Sequence, residues 1–365
     1  MNTTHRLKKT VNNRKEKDMN FIKNIAAVAA CVALASLSSC TQDSPITQGG
    51  TKEELQPIDR TAFAKGADVS WLSQLEAEGY TFSNAAGVQK ECMQLLKEDC
   101  GVNAIRLRVW VNPEKGWNNI DDVVYKARRA NALGLRLMID FHFSDTWADP
   151  GNQITPAAWA DFDLEQLKQA VADHVNDMLS KLKKLNIEPE WVQIGNETRG
   201  GMLYPIGAYS NGASYAALVN AAYDAIKAVF PEALAIIHLD SGNRLDLYTR
   251  IFGTLQANEG KYDMIGMSLY PEADNWETMA ATCISNINTV AQTYGKPVMI
   301  CEVGMGYTEG AVCSKLIAKL MDEGGSNLKG VFYWEPEAPA GYNDGYNKGC
   351  FDNGTPTEAL EPFLR

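Results

Sequence analysis

From about residue 62 to the C-terminus, short apolar runs alternate with longer amphipathic stretches. The runs predict strands at 63–70 (FAKGADVS), 103–111 (NAIRLRVWV), 135–143 (LRLMIDFHF) and 190–197 (EWVQIGNE). Four more follow at 234–240 (LAIIHLD), 262–270 (YDMIGMSLY), 296–304 (KPVMICEVG) and 328–336 (LKGVFYWEP). Between them lie helical patterns, most plainly 163–185, where Leu164, Leu167, Val171, Val175, Met178 and Leu182 recur at spacings of three and four. Asp163, with Gln166 three positions on, has the form of a capping box at its start. Eight strands alternating with helices describe an α/β chain, a single (β/α)8 TIM barrel over residues 62–365. A doubly wound sheet would carry a glycine-rich phosphate turn after its first strand, and no GxGxxG stands there.

The N-terminal residues break this rhythm. MNFIKNIAAVAACVALASLSSC (19–40) has a basic residue, Lys23, then a short apolar run and small residues ending at Cys40. That is the layout of a secretory signal. LSSC resembles the bacterial lipobox, which implies cleavage before Cys40 and lipidation of its thiol, so residues 1–40 are expected to be a signal peptide. The expected location is a bacterial membrane, outer membrane or cell surface, with a plain secreted protein or an uncleaved anchor as the alternatives. Residues 1–18 are an extended basic region or lie upstream of a start at Met19. Residues 41–61 have linker composition.

Charge and cysteines narrow the partners. A net charge of -11 argues against nucleic acid and against a cationic membrane-surface protein, and leaves neutral or small polar substrates open. Setting aside Cys31 and Cys40 leaves Cys92, Cys100, Cys283, Cys301, Cys313 and Cys350. Export would permit disulfides. Cys92 and Cys100 fall in one predicted helix, about 12 Å apart along its axis, beyond the roughly 7 Å that a disulfide spans. No spacing suggests zinc.

In a barrel the active site forms at the C-terminal ends of the strands, and here those ends are polar or aromatic as a set. They carry Asp68 and Trp71; Arg106, Arg108 and Trp110; Asp140 and His142; Asn196 and Glu197; His238 and Asp240; Tyr270; Glu302; and Trp334 with Glu335. Singly, each has a plain structural explanation: a solvated carboxylate, a core histidine, a packed tryptophan. Their gathering at one end of all eight strands does not. Glu197 ends the fourth strand and Glu302 the seventh, nearly opposite in an eight-strand barrel. Two carboxylates flanking one bond are what glycoside hydrolysis requires.

GADVSWL, IRLRVWVNP, DFHFSDTWADP, VQIGNET, ICEVG and FYWEP together resemble the arabinogalactan endo-β-1,4-galactanases of glycoside hydrolase family 53, from about residue 62 onward. The resemblance implies retaining hydrolysis of β-1,4-galactan, with no cofactor required. It makes Glu197 the acid/base and Glu302 the nucleophile, with carboxyl groups about 5–5.5 Å apart. Arg106 and Tyr270 would hold Glu302 charged, and Asn196 would bind the sugar 2-hydroxyl. His142, Asp145, Trp147 and Asp149 in the third loop, with His238, are expected to bind or support. Trp334 is the preferred sugar platform, with Trp110 and Trp147 as further candidates. Glu335 and Glu337 would serve subsites or structure. Some bacterial members hold calcium near the last loops, and Asp344, Asn347 and Asp352 are the oxygen donors available for it. A mannanase, glucanase or xylanase would share the mechanism; a surface glycan-binding lipoprotein would keep the barrel without cleavage.

Overall fold

A computed structural model describes residues 58–365; the expected signal, the lipobox at Cys40 and the linker up to residue 57 lie outside the described residues. All eight expected strands are present. They are β1 (Ala64–Asp68), β2 (Ala104–Val109), β3 (Arg136–Phe141), β4 (Trp191–Ile194), β5 (Leu234–Leu239), β6 (Met264–Leu269), β7 (Val298–Val303) and β8 (Leu328–Trp334). Neighbours in sequence pair in parallel, and β1 pairs with β8 to close the barrel. The connecting helices are α1 (Leu72–Ala77), α2 (Cys92–Cys100), α3 (Ile120–Ala132), α4 (Leu164–Lys184), α5 (Gly212–Val229), α6 (Leu245–Ala257), α7 (Trp276–Tyr294) and α8 (Gly310–Glu323).

Each strand shows one row of side chains to the barrel interior and the other to the helices. The interior is plugged by Met138, Trp191, Ile236, Met264, Met299 and Phe332, all buried. Outward residues such as Ile105, Leu107 and Val109 join the helix-facing core. Two positions beyond the plug on successive strands come Asp140, Gln193 and His238, which form a polar layer above the apolar one. The strands therefore supply both the core and the floor of the site.

The helices follow the sequence pattern. Asp163 Oδ1 accepts the Gln166 backbone N–H at 2.9 Å, and the Gln166 side chain returns the bond to Asp163 N at 2.9 Å, closing the capping box of α4. Leu167, Val171, Val175, Met178 and Leu182 form its buried face, with Leu164 half-buried at its start. Cys92 and Cys100 bound α2, and all six cysteines of the described residues are unbridged and buried.

Two departures from simple alternation shape the site. β4 stops at Ile194, so Asn196 and Glu197 stand on a turn rather than on the strand. Gly195 (φ 75°) and Glu197 (φ 47°) are both left-handed there. A Cβ at Gly195 would lie 2.6 Å from Thr198 Cγ2, so only glycine fits. In β7 the register slips between the Met267–Ile300 and Ser268–Glu302 pairs, a bulge that leaves Cys301 as the extra residue. Met299 and Cys301 already face the interior. Strict alternation would turn Glu302 outward, and the bulge turns it in.

Candidate active site

At the C-terminal mouth of the barrel lies a cavity of about 540 Å³ whose walls include both Glu197 and Glu302. Residues from remote parts of the chain thus share one space. The two are tied to positions two apart, one on β6 and one just past its end: Ser268 Oγ donates to Glu197 Oε1 at 2.7 Å, and the Tyr270 hydroxyl donates to Glu302 Oε2 at 2.8 Å.

Arg106 is the hub beneath them. Its guanidinium is 1% exposed and contacts Asp68 at 2.7 Å, Asp140 at 2.8 Å, Asn196 Oδ1 at 2.9 Å and Glu302 Oε1 at 2.9 Å. Its Nε donates to Gln193 Oε1 at 3.2 Å. Five strands or their loops meet on this one planar fork, which suits arginine and not lysine. Burial, outweighed by Asp140, Glu302 and Asp68, leaves its pKa above the usual range. For Asp140 burial is likewise outweighed, by Arg106 and His142, and its pKa is lowered.

The two glutamates are treated differently by this frame. Burial raises the pKa of Glu197 well above the ordinary value, the charge of Glu302 adds to it, and the Ser268 hydrogen bond offsets part. Burial also raises Glu302, but Arg106 and the Tyr270 hydroxyl pull it back. Both carboxyls are pushed up by burial, and the Arg106 guanidinium that touches Glu302 favours the charged form there. A protonated acid beside a charged carboxylate is the division of labour that acetal cleavage needs.

Other expected site residues separate into wall and support. Trp147, Asp149, His142 and Trp334 line the cavity. His142 Nδ1 accepts from Trp110 Nε1 at 3.1 Å and from Ala148 N at 3.2 Å, which leaves Nε2 to donate to Asp140 at 3.0 Å. Asn196 also faces the cavity and commits one Nδ2 hydrogen to Ala148 O at 2.8 Å. His238 is fully buried below: Nε2 lies 2.8 Å from Ser268 Oγ and Nδ1 lies 2.9 Å from Gln193 Nε2. Burial, then the Arg106 charge, lower its pKa well below the usual value, so the ring is neutral.

One expectation changes, and two narrow to the supporting or structural alternative. Trp110 is no platform, because its indole is turned to bond His142 and meets Trp147 edge-on at 5.2 Å, away from the cavity wall. Asp145 does not reach the cavity either; its two oxygens accept from Asn112 N at 3.0 Å and Ala157 N at 2.9 Å and tie two loops together. Glu335 and Glu337 are buried behind the wall rather than in subsites. Glu335 pairs with Arg108 and accepts from Trp71 N at 3.1 Å, while burial pushes its pKa up to about 7. Asp344, Asn347 and Asp352 are exposed, and among the described residues no group of three or more His, Cys, Asp or Glu side chains is placed to hold a metal ion.

Trp71, Ser268 and Tyr346 were not among the expected binding or supporting residues, and the structure places all three in or against the site. Trp71 lines the cavity with its ring 5.5 Å from Trp334. Ser268 had a signal, since it alternates with Tyr270 on one face of MSLY. Tyr346, 5.1 Å from Trp334, had none, because its long loop has no periodicity.

The family model of glycosyl hydrolase family 53 matches residues 64–319. The chain belongs to glycosyl hydrolase family 53. Among relatives, an arabinogalactan endo-β-1,4-galactanase of Thermothelomyces thermophilus is 33% identical over 316 residues, 79% of this chain and 93% of that protein. The endo-β-1,4-galactanase of Bacillus subtilis is 30% identical over 75% of this chain and 70% of its own. A structure from a study of two fungal β-1,4-galactanases superposes with TM-score 0.76 at 29% identity, covering 83% of this chain and all of that one. The family 53 match starts at the first residue of β1 and reaches into α8, so it spans both Glu197 and Glu302.

Proposed function

We propose that this family 53 chain is an endo-β-1,4-galactanase that hydrolyses galactan with retention, by double displacement between Glu302 and Glu197. One observation carries the reading: Glu302, held by Arg106 and Tyr270, shares a cavity with Glu197, whose pKa burial raises well above the ordinary value. In the first step Glu302 attacks the anomeric carbon, the bond to the leaving oxygen breaks, and the Glu197 proton passes to that oxygen. Asn196 offers an Nδ2 hydrogen to the 2-hydroxyl, and Trp334 lies under the bound sugar. In the second step Glu197, now a carboxylate, takes a proton from water; the water oxygen attacks the anomeric carbon and releases Glu302. The net change is one water consumed and one glycosidic bond cleaved.

Family relatives named for galactan favour that sugar over mannan, glucan or xylan, which the same two carboxylates would cleave equally well. Reducing ends released from the four purified polysaccharides test the choice, and galactan alone should yield rapid product. Proton NMR of the first product should show the β-anomer; the α-anomer would refute double displacement. Binding of galactan with no product over long incubation would refute hydrolysis. The two carboxylates need no metal, so EDTA should leave the rate unchanged. Export with a lipid on Cys40 is supported by the 19–40 pattern, and Cys40→Ala should move the protein from the membrane to the soluble fraction.

A further inference from the structure

Arg108 stands two residues after the Arg106 hub on β2 and is 1% exposed. Its Nη1 pairs with Glu335, yet its Nε and Nη2 are buried with no hydrogen-bond acceptor. Buried N–H groups without acceptors are unfavourable. What surrounds them is aromatic. The guanidinium carbon lies 4.3 Å from the centroid of the Trp147 ring, 5.1 Å from that of Trp71 and 5.2 Å from that of Trp110. The face of an indole carries negative potential and receives a cation and its N–H groups. The ends of Arg108 that lack an acceptor therefore have ring faces instead.

We infer that Arg108 is a positioning residue that fixes the Trp147 ring and, through it, the aromatic wall of the cavity. This rests on the galactanase reading and adds a residue to it. Trp147 belongs to no strand or helix; it stands in the loop after β3 and lines the cavity. Its indole neighbours Trp71 and Trp110 meet it edge to face, at 5.5 and 5.2 Å. Arg108 lies over the ring and closer than either, so a loop tryptophan is backed by a buried charge. The same guanidinium reaches the other two tryptophans of the wall. Trp71 is a direct neighbour, and Glu335, the partner of Arg108, follows Trp334 in the chain and accepts from Trp71 N at 3.1 Å. Lysine would keep the charge but lacks the flat face that lies against an indole.

Arg108→Lys tests this while leaving a cation for Glu335. The KM for galactotetraose should rise about 5- to 30-fold, the worth of a desolvated cation on an indole. The kcat should change little, because the ion pair and ring contacts of Arg108 go to neither Glu197 nor Glu302. Trp147→Ala should raise KM as well, and adding Arg108→Lys to it should raise KM no further. Should Arg108→Lys fail to fold, by melting temperature, Arg108→Gln carries the same cycle at pH 6. There Glu335, which burial pushes up to about 7, takes a proton and is not left as an unpaired charge. Effects that multiply in the double variant would overturn the inference. So would a wild-type KM in the folded single variant, a fall in kcat alone, or failure of both Arg108 variants to fold, which would make the residue structural. A wild-type enzyme that leaves both galactan and galactotetraose intact would defeat the galactanase reading itself; one that cleaves them while the two effects multiply defeats only the role of Arg108.

Discussion

Tyr270→Phe isolates one hydrogen bond to the residue assigned as nucleophile. The hydroxyl donates to Glu302 Oε2 at 2.8 Å, while Arg106 holds Oε1 at 2.9 Å and stays in place. A hydrogen bond to a charged carboxylate favours the ionised form, so its loss raises the pKa of Glu302. Such bonds are worth about 1.5–3 kcal/mol, roughly a 10- to 100-fold change in the ionisation equilibrium. Glu302 must be charged to attack. The acid limb of the kcat/KM profile, which reports the free enzyme, should therefore move to higher pH. At a fixed pH on that limb the rate should drop about 10- to 100-fold beyond any change at the optimum. The alkaline limb, set by Glu197, should move far less, because the Ser268 bond to Glu197 is untouched. The assay is reducing-end release from galactan across the pH range, with melting temperature as a fold control. An acid limb that stays put, or moves to lower pH in a folded variant, would refute the assignment of Tyr270 and with it the placement of Glu302 as the charged partner.

Glu302→Gln should abolish turnover with the fold intact, measured by activity and circular dichroism. Glu197→Ala should lose most activity on galactan, while its glycosylation step with an activated aryl substrate, followed by pre-steady-state release, suffers much less. Arg106→Met should both inactivate and destabilise by about 3–5 kcal/mol in urea titration, since Asp68 and Asp140 would be left buried and unpaired. Glu337→Gln should stabilise. Neither carboxyl oxygen of Glu337 has a hydrogen-bond donor, and burial, then the charge of Glu335, raise its pKa well above the ordinary value. An acid whose folded pKa is raised binds its proton more tightly when folded, so it costs stability as pH rises above the unfolded value of about 4.3. The gain in melting temperature should therefore be larger at pH 8 than at pH 4, and a gain independent of pH would refute the burial argument.

How far the chain could be read depends on which interactions are local. The barrel was legible because each strand is a short apolar run bounded by turn residues, a signal carried by a handful of neighbours. All eight runs became strands, and the capping box of α4 formed where Asp163 and Gln166 predicted it. The polar endings pointed to the right end of the barrel, and the two glutamates do share a cavity. Orientation was another matter. DFHFSDTWADP supplied His142, Trp147 and Asp149 to the wall but kept Asp145 for backbone bonds, and nothing within that stretch distinguishes the two aspartates. Trp110 and Trp71 are both tryptophans near strand ends, yet the ring that lines the cavity is the one that packs on Trp334.

The sequence pointed to the run of strands, to Glu197 and Glu302 as the candidate acids and to the end of the barrel where they stand. Tertiary structure decided which way those two carboxyls face and which charges and hydrogen bonds surround each. Glu302 turns inward only because β7 bulges against β6, a slip invisible to an alternating pattern. Arg106 serves Glu302 only because β1, β3, β4 with the turn after it, and β7 bring five partners around one guanidinium on β2. Hydrophobic periodicity is a property of adjacent residues, whereas charge, burial and hydrogen bonding depend on whatever the closed barrel brings near.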